Sequence, residues 1–193
     1  MIFALLVGCH ARTSVGDHIL ADVPRPDNYD ADARAATREL RLYSDGLTTS
    51  LLLRAARLDP DFRRAMEAQR AHLMLLESAV REERLAASLA EAEVAYVFVL
   101  SADSQFRDDL RFGFGEAEPW RLRLFADGRP CTPESVTEIE PTPLDLQLYP
   151  HHTRWSSLWN VRFARDCGAG PLVLQVTGPH GTGEMGWSTE TAE

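Results

Sequence analysis

Val94-Ala-Tyr-Val-Phe-Val-Leu100 is the stretch of this chain that constrains the fold most strongly. Every residue in it is apolar or aromatic, and most are β-branched or aromatic, which favours a strand. A strand with one solvated face alternates apolar with polar residues, whereas an unbroken apolar run is typical of a strand buried on both faces. We therefore predict a central strand here, with the helical segment that precedes it covering one of its two faces.

Short segments of alternating apolar and polar residues follow this stretch, as in strands with one buried face. Their apolar positions are Trp120, Leu122 and Leu124; Leu144, Leu146 and Leu148; Trp159, Val161 and Phe163; Leu172, Leu174 and Val176; and Met185 with Trp187. Turn-forming clusters of Gly and Pro separate them, and no βαβ alternation is present. The pattern predicts an α+β fold that is mainly β: an antiparallel immunoglobulin-like β-sandwich with a helical insertion after the first strands.

Upstream, the chain reads as a hairpin that begins near Leu40 and turns at Asp45-Gly46. Its return strand is expected over 47–57, although the apolar spacing in that segment also suits a helix. Asp59-Pro60 then combines an N-cap residue with a proline at the first helical position, which predicts a helix start. Ser78 offers a second N-cap, so two helices are expected between Pro60 and about Ala92.

One apolar face runs along these two predicted helices at a spacing near 3.6 residues. Its members are Phe62, Met66, Leu73 and Val80. The central strand needs a covering layer, so we expect this face to pack against the sheet rather than to form a coiled coil with a partner.

Composition excludes several classes of function. All 20 basic residues are Arg, and the formal net charge is −9. Schiff-base, P-loop and Ser-Lys chemistry all require a lysine amine, so none of them is available to this chain. Nucleic acid attracts basic surfaces, so the net charge also argues against it as a partner.

The N-terminal segment closes a short apolar run with Leu6-Val7-Gly8-Cys9 and turns polar immediately afterwards. These four residues resemble the lipobox of bacterial lipoproteins, in which the cysteine becomes the lipidated N-terminus. The resemblance implies a truncated leader at 1–8, a lipid-attachment site at Cys9 and a flexible tether over 9–36. His10 in place of Asp favours sorting to the outer membrane. The alternative is a buried first strand at 1–8 with Cys9 in the core.

The rest of the chain, 37–193, is then the β-sandwich domain, with its helical insertion at about 60–92. In an exported protein the two remaining cysteines, Cys131 and Cys167, are expected to form a disulfide. Cys131 lies in a Pro-rich turn and Cys167 in a Gly-rich turn, which fits two bridged loops. The alternative is a pair of free thiols.

His151, His152 and Trp155 form the candidate binding patch. Adjacent residues of an extended chain point in opposite directions, so the two histidines alone would not chelate a metal. A Ser-His-Asp set can be composed from Ser156, His152 and Asp166, but no G-x-S-x-G elbow accompanies it. Gly181 to Gly186 matches G-x-G-x-x-G in letters only, since no βαβ unit surrounds it.

We therefore predict a non-enzymatic, lipid-anchored domain of the cell envelope, with a structural or protein-interaction role. It would sit at the outer membrane, facing the periplasm or the cell surface, and bind an envelope protein. No catalytic residue, metal, cofactor or nucleic acid is expected. The alternatives are an envelope hydrolase or metal-dependent enzyme centred on the His151-His152 loop, and a small-ligand carrier.

Overall fold

The computed structural model describes residues 28–44, 46–105, 110–113 and 118–188, so Cys9, the leader and Asp45 lie outside the described residues. Within these ranges the fold is mixed but mostly β, with antiparallel sheets and four α-helices. The helices are α1 (Tyr29–Ala36), α2 (Pro60–Met74), α3 (Ser78–Val94) and α4 (Pro143–Leu148). The strands are β1 (Thr37–Tyr43), β2 (Thr49–Arg57), β3 (Ala95–Asp103), β4 (Phe112–Gly113), β5 (Trp120–Ala126), β6 (Arg129–Cys131), β7 (Ser135–Ile139), β8 (Ser157–Ala164), β9 (Leu172–Gly178) and β10 (Gly181–Trp187).

Two sheets stack face to face. The first has the strand order β1-β2-β3-β8-β7, and each neighbouring pair is antiparallel. The second has the order β10-β9-β5-β4, with β6 also pairing with β5, and it is antiparallel except at the short β4–β5 pair. Helices α1, α2 and α4 cover the outer face of the first sheet, and α3 packs on α2.

Strand β3 is buried on both faces, which confirms the prediction made from its sequence. Tyr96, Phe98 and Leu100 point into the core between the sheets, where the Phe98 ring lies 5.1 Å from that of Trp187. Val97 and Val99 point the other way, into the core beneath the helices. Strand β3 therefore contributes side chains to both hydrophobic cores.

Side chains close the seam where the edge strands β1 and β10 meet. The Nε atom of Arg38 donates to the Gly186 carbonyl at 3.0 Å, and the Trp187 indole donates to the Ala36 carbonyl at 2.8 Å. The Leu40 side chain packs directly on Gly183. A Cβ atom added to Gly183 would lie only 2.3 Å from Leu40 Cδ1. These contacts leave little of this edge open for pairing with another chain.

The strand expected at Leu144, Leu146 and Leu148 is instead helix α4, so that prediction is wrong. Thr142 and Asp145 form a capping box, and Pro143 occupies the first turn. In a helix this segment places Leu144 and Leu148 on one face, four residues apart, and Leu148 is fully buried there.

The tether expected over 9–36 overlaps α1. Tyr29, Ala33 and Ala36 are buried in the core beneath the helices, and the Tyr29 hydroxyl donates to the Leu148 carbonyl. Residues from Tyr29 onward are thus part of the folded domain.

The apolar face predicted along α2 and α3 packs on the sheet over only part of its length. Phe62 and Met66 are buried, as expected, but Leu73 and Val80 are exposed. Helix α2 leaves the sheet at Pro60 and helix α3 returns to it at Val94. The connection between the two helices therefore extends beyond the sheet, where no strand covers its apolar side chains.

A charged network ties the base of this helical hairpin to the first sheet. Glu91 of α3 accepts from Arg63 of α2 at 2.9 Å and from Arg162 of β8 at 3.0 Å. Arg63 is almost fully buried and also donates to the Leu58 carbonyl at 2.8 Å. A buried guanidinium requires such partners, because an unpaired buried charge is strongly unfavourable.

The predicted disulfide is present. Cys131 of β6 is bonded to Cys167, which lies in the 3₁₀ turn Arg165–Cys167, and the two Cα atoms are 5.9 Å apart. The bridge joins β6 to the connection between β8 and β9.

Truncating the apolar face should have position-dependent effects. Met66→Ala should lower the free energy of unfolding by about 2–5 kcal/mol, because Met66 is 4% exposed and its removal leaves a cavity. Leu73→Ala, on the same face but 40% exposed, should change it by about 0.5 kcal/mol or less. Urea unfolding of both variants measures this, and equal losses would contradict the layer assignment.

Candidate functional site

The connection between α2 and α3 carries an exposed apolar cluster. Helix α2 ends at Met74 because Leu75 adopts a left-handed backbone, with the Leu75 and Leu76 N–H groups directed to the Ala71 carbonyl. The exposed members are Leu73, Met74, Leu75 and Val80, which we call the hairpin tip. An exposed group of large apolar side chains is typical of an interaction surface.

Leu75 is an unusual residue for its backbone conformation. Its φ angle is 54°, and glycine or asparagine normally occupies this position at the end of a helix. A left-handed conformation costs an ordinary L-residue about 1–2 kcal/mol, because its Cβ atom comes too close to the following carbonyl oxygen. Leu75 is also 47% exposed, so burial of its side chain does not explain its presence.

Trp155 lies on a second surface, in the turn before β8, and is 62% exposed. The turn is held by a 2.7 Å hydrogen bond between the hydroxyls of Thr153 and Ser156 and by the Ser156 N–H donating to the Thr153 carbonyl. The Arg154 guanidinium stands 5.0 Å from the centre of the indole. A shallow pocket of about 280 Å³ adjoins it, with Glu138 in its lining.

His152 is buried, with its Nδ1 atom 3.2 Å from the Ser101 hydroxyl oxygen. Burial lowers the pKa of His152, and the nearby Asp145 carboxylate opposes this only in part. Ser101 is itself buried, so a substrate in solvent does not reach this Ser–His pair. The Ser-His-Asp set considered from the sequence is not assembled either. Ser156 is hydrogen-bonded to Thr153, and Asp166 lies beyond the far end of β8.

His151 points to a different place, the wall of a cleft between α1, β1, β2 and its own loop. Both of its ring nitrogens are buried, and neither has a hydrogen bond of good geometry with a described residue, although the Val99 backbone lies near enough to act on the ring. Burial, followed by the charges of His152 and Arg54, lowers the pKa of His151 to about 4, and the Val99 backbone opposes this slightly. The Tyr149 ring packs edge-on at 6.0 Å.

The three residues of the candidate patch therefore do not share one site. His151 lines the cleft, Trp155 lines the shallow pocket, and His152 is buried against Ser101. Sequence reasoning missed the hairpin tip, although the run Leu73-Met-Leu-Leu76 between two predicted helices was a usable signal. It also missed the arginines of the cleft, which come from separate parts of the chain.

Two further findings bear on function. Among the described residues, no three His, Cys, Asp or Glu side chains are grouped so that they could hold a metal ion. None of the helices in the described ranges is long and apolar enough to cross a membrane.

Comparison with known proteins is sparse. No family model matches the chain, and no curated protein matches it. It is similar to the crystal structure of a novel protein of unknown function from Burkholderia pseudomallei K96243, with a TM-score of 0.46 and 14% sequence identity, over 83% of this chain and 82% of that chain.

The buried imidazole of His151 should make stability depend on pH. Its pKa falls from 6.5 in the unfolded chain to about 4 in the fold, so between these values only the unfolded state takes up the proton. Stability is therefore full above pH 6.5 and is lost as the pH falls towards 4, by about 3 kcal/mol from this group. His151→Phe, which keeps an aromatic ring without nitrogens, should remove that part of the loss. Chemical unfolding across this pH range measures it, and an unchanged pH dependence would contradict the burial of the ring.

Proposed function

We propose that this chain is a non-enzymatic, lipid-anchored domain of the cell envelope that binds a protein partner through the hairpin tip. The observation that carries the proposal is the exposed Leu75 at a left-handed position. Where a residue breaks a local backbone rule without a packing reason, function is the usual cause. Here the apolar side chain is useful only if something outside the domain covers it.

A protein partner fits the hairpin tip better than a lipid surface does. Glu77 and Glu82 flank the tip and are exposed, and anionic lipid headgroups would repel their carboxylates. The base of the hairpin is held by the Glu91 network, so the tip is presented on a rigid support. Rigid presentation lowers the entropy lost on binding.

The envelope location and the anchor at Cys9 form the second part of the proposal. The Cys131–Cys167 disulfide supports it, because disulfides persist in oxidising compartments and are rare in the cytosol. The lipobox-like Leu6 to Cys9 supplies the anchor, and His10 favours the outer membrane as its destination, with the domain facing the periplasm or the cell surface.

We also propose that the sandwich is immunoglobulin-like. Its support is the strand order β2-β3-β8-β7 in one sheet opposite β5-β9-β10 in the other. Constant-type immunoglobulin domains have the order ABED opposite CFG, which is the same arrangement when β2 is taken as strand A. The α2–α3 hairpin is then an insertion between the first two strands of that pattern. This fold has no fixed function, so it is compatible with a binding role and decides nothing further.

The hairpin tip can be tested with a variant that separates stability from binding. Leu75→Gly should leave the free energy of unfolding unchanged or raise it by up to about 1 kcal/mol, since glycine adopts φ > 0 without strain. The same variant should weaken partner binding by at least about tenfold, the effect of losing an anchor residue. The partner is first trapped in envelopes with a photo-crosslinker at Met74, then purified for titration.

Asp127→Gly is the matched control, because Asp127 also has a left-handed backbone, with a φ angle of 50°, but lies in the β5–β6 turn. It should leave partner affinity unchanged. Equal affinity of Leu75→Gly and wild type, or no crosslink at Met74, would contradict the hairpin tip as the binding surface.

The anchor has its own test. Cys9→Ala, expressed with a complete lipoprotein leader, should move the protein from the membrane fraction to the soluble fraction, because two or more acyl chains are what hold such a domain stably. Cys131→Ala is a control that leaves Cys9 intact and should stay with the membrane. Membrane retention of the Cys9→Ala protein would refute lipid attachment at this residue.

A further inference from the structure

We infer that the cleft beside His151 binds a small molecule bearing a phosphate or carboxylate group, and that Arg34 and Arg54 hold this group. This site is separate from the hairpin tip and does not depend on the protein-binding role. It also lies at a different place from the shallow pocket beside Trp155.

The cleft has the size and construction of a ligand site. Its volume is about 690 Å³, within the range of small-molecule pockets. Its walls come from α1, from the paired strands β1 and β2, and from the loop that follows α4. Segments far apart in sequence thus meet around one concave surface, which is where ligand sites usually form.

The guanidinium groups in the cleft have donors to spare. Arg54 uses Nε on the Glu39 carboxylate at 2.8 Å, and Arg34 uses Nε on the Asp30 carbonyl at 2.9 Å. Within the described residues, the terminal nitrogens of both side chains make no hydrogen bond. A guanidinium fork matches the oxygens of a carboxylate or a phosphate, and such charge-assisted bonds are the strong ones.

The sign of the local charge favours an anion, although the whole chain carries −9. Three arginines line the cleft, Arg34, Arg38 and Arg54, against two carboxylates, Asp30 and Glu39. Glu39 is already shared between two guanidiniums, because Arg41 outside the cleft binds its other oxygen at 2.8 Å. Its charge is therefore largely compensated before any ligand arrives.

His151 adds an independent reason to assign a ligand here. Both of its ring nitrogens are buried without a hydrogen bond of good geometry among the described residues, at the wall of the same cleft. Buried polar groups in native proteins are nearly always bonded, and the exceptions call for a cause. A bound oxyanion that draws the loop closer would accept from this ring and relieve the deficit.

The test is titration calorimetry of the full chain with inorganic phosphate and with succinate, at constant ionic strength set by chloride. We expect saturable binding of at least one of them with a Kd of about 1 mM, as suits a fragment-sized anion. Arg54→Gln should weaken it by about tenfold or more, because one charge-assisted hydrogen bond is lost. Arg34→Gln, at an exposed helix position, should act in the same direction.

Arg123→Gln is the matched control, since Arg123 is an exposed arginine of β5 in the second sheet and lies outside the cleft. It should leave affinity within about twofold of wild type, the expectation for a charge that makes no direct contact. Urea unfolding confirms that each variant is folded. Equal weakening by Arg123→Gln and Arg54→Gln would mean that the anion is held only by the general charge of the protein, and this would overturn the site. Absence of binding by both anions would also overturn it.

Discussion

Burial of β3 on both faces is the constraint on which the rest of the architecture depends. One face of the strand must be covered by the second sheet and the other by helices, so the chain needs three layers rather than two. The neighbours of β3 on either side, β2 and β8, are shared by the two cores in the same way, with Leu53 and Ala56 on opposite faces. Loss of either cover would expose a row of Val and Phe side chains.

The helical cover also produces the exposed surface. The α2–α3 hairpin leaves the sheet just after β2 and returns directly into β3, so only its base can lie over the strands. The base is apolar and is fastened by Arg63 and Glu91, whereas the opposite end has no sheet beneath it. One element thus stabilises the domain at its base and presents Leu73, Met74 and Leu75 to solvent at its tip.

Sequence reasoning succeeded where one physical signal had no competitor. A strand is the only structure predicted by the unbroken apolar run of β3 and by the alternation at Trp159, Val161 and Phe163. The structure has strands at both places. It failed at Leu144 to Leu148, because this sequence is compatible both with the period-two alternation of a strand and with the i, i+4 spacing of a short capped helix.

The candidate site was harder to predict than the fold, because it depends on tertiary placement. Which side of a loop His151 and His152 face is set by β3 and by the cleft, neither of which is local in sequence. Arg34 and Arg54 are ordinary arginines in the sequence and become a pair only when α1 packs beside β2. The length of helix that the sheet can cover is likewise a property of the whole fold.

Native-state hydrogen exchange measures the central claim most directly. The amides of β3 from Tyr96 to Ala102 should exchange only through global unfolding, because both cores must open to release them. Amides at the end of α2 should exchange through local opening, at a much lower free energy. Exchange of β3 as fast as that of the hairpin tip would contradict a strand shared by two cores.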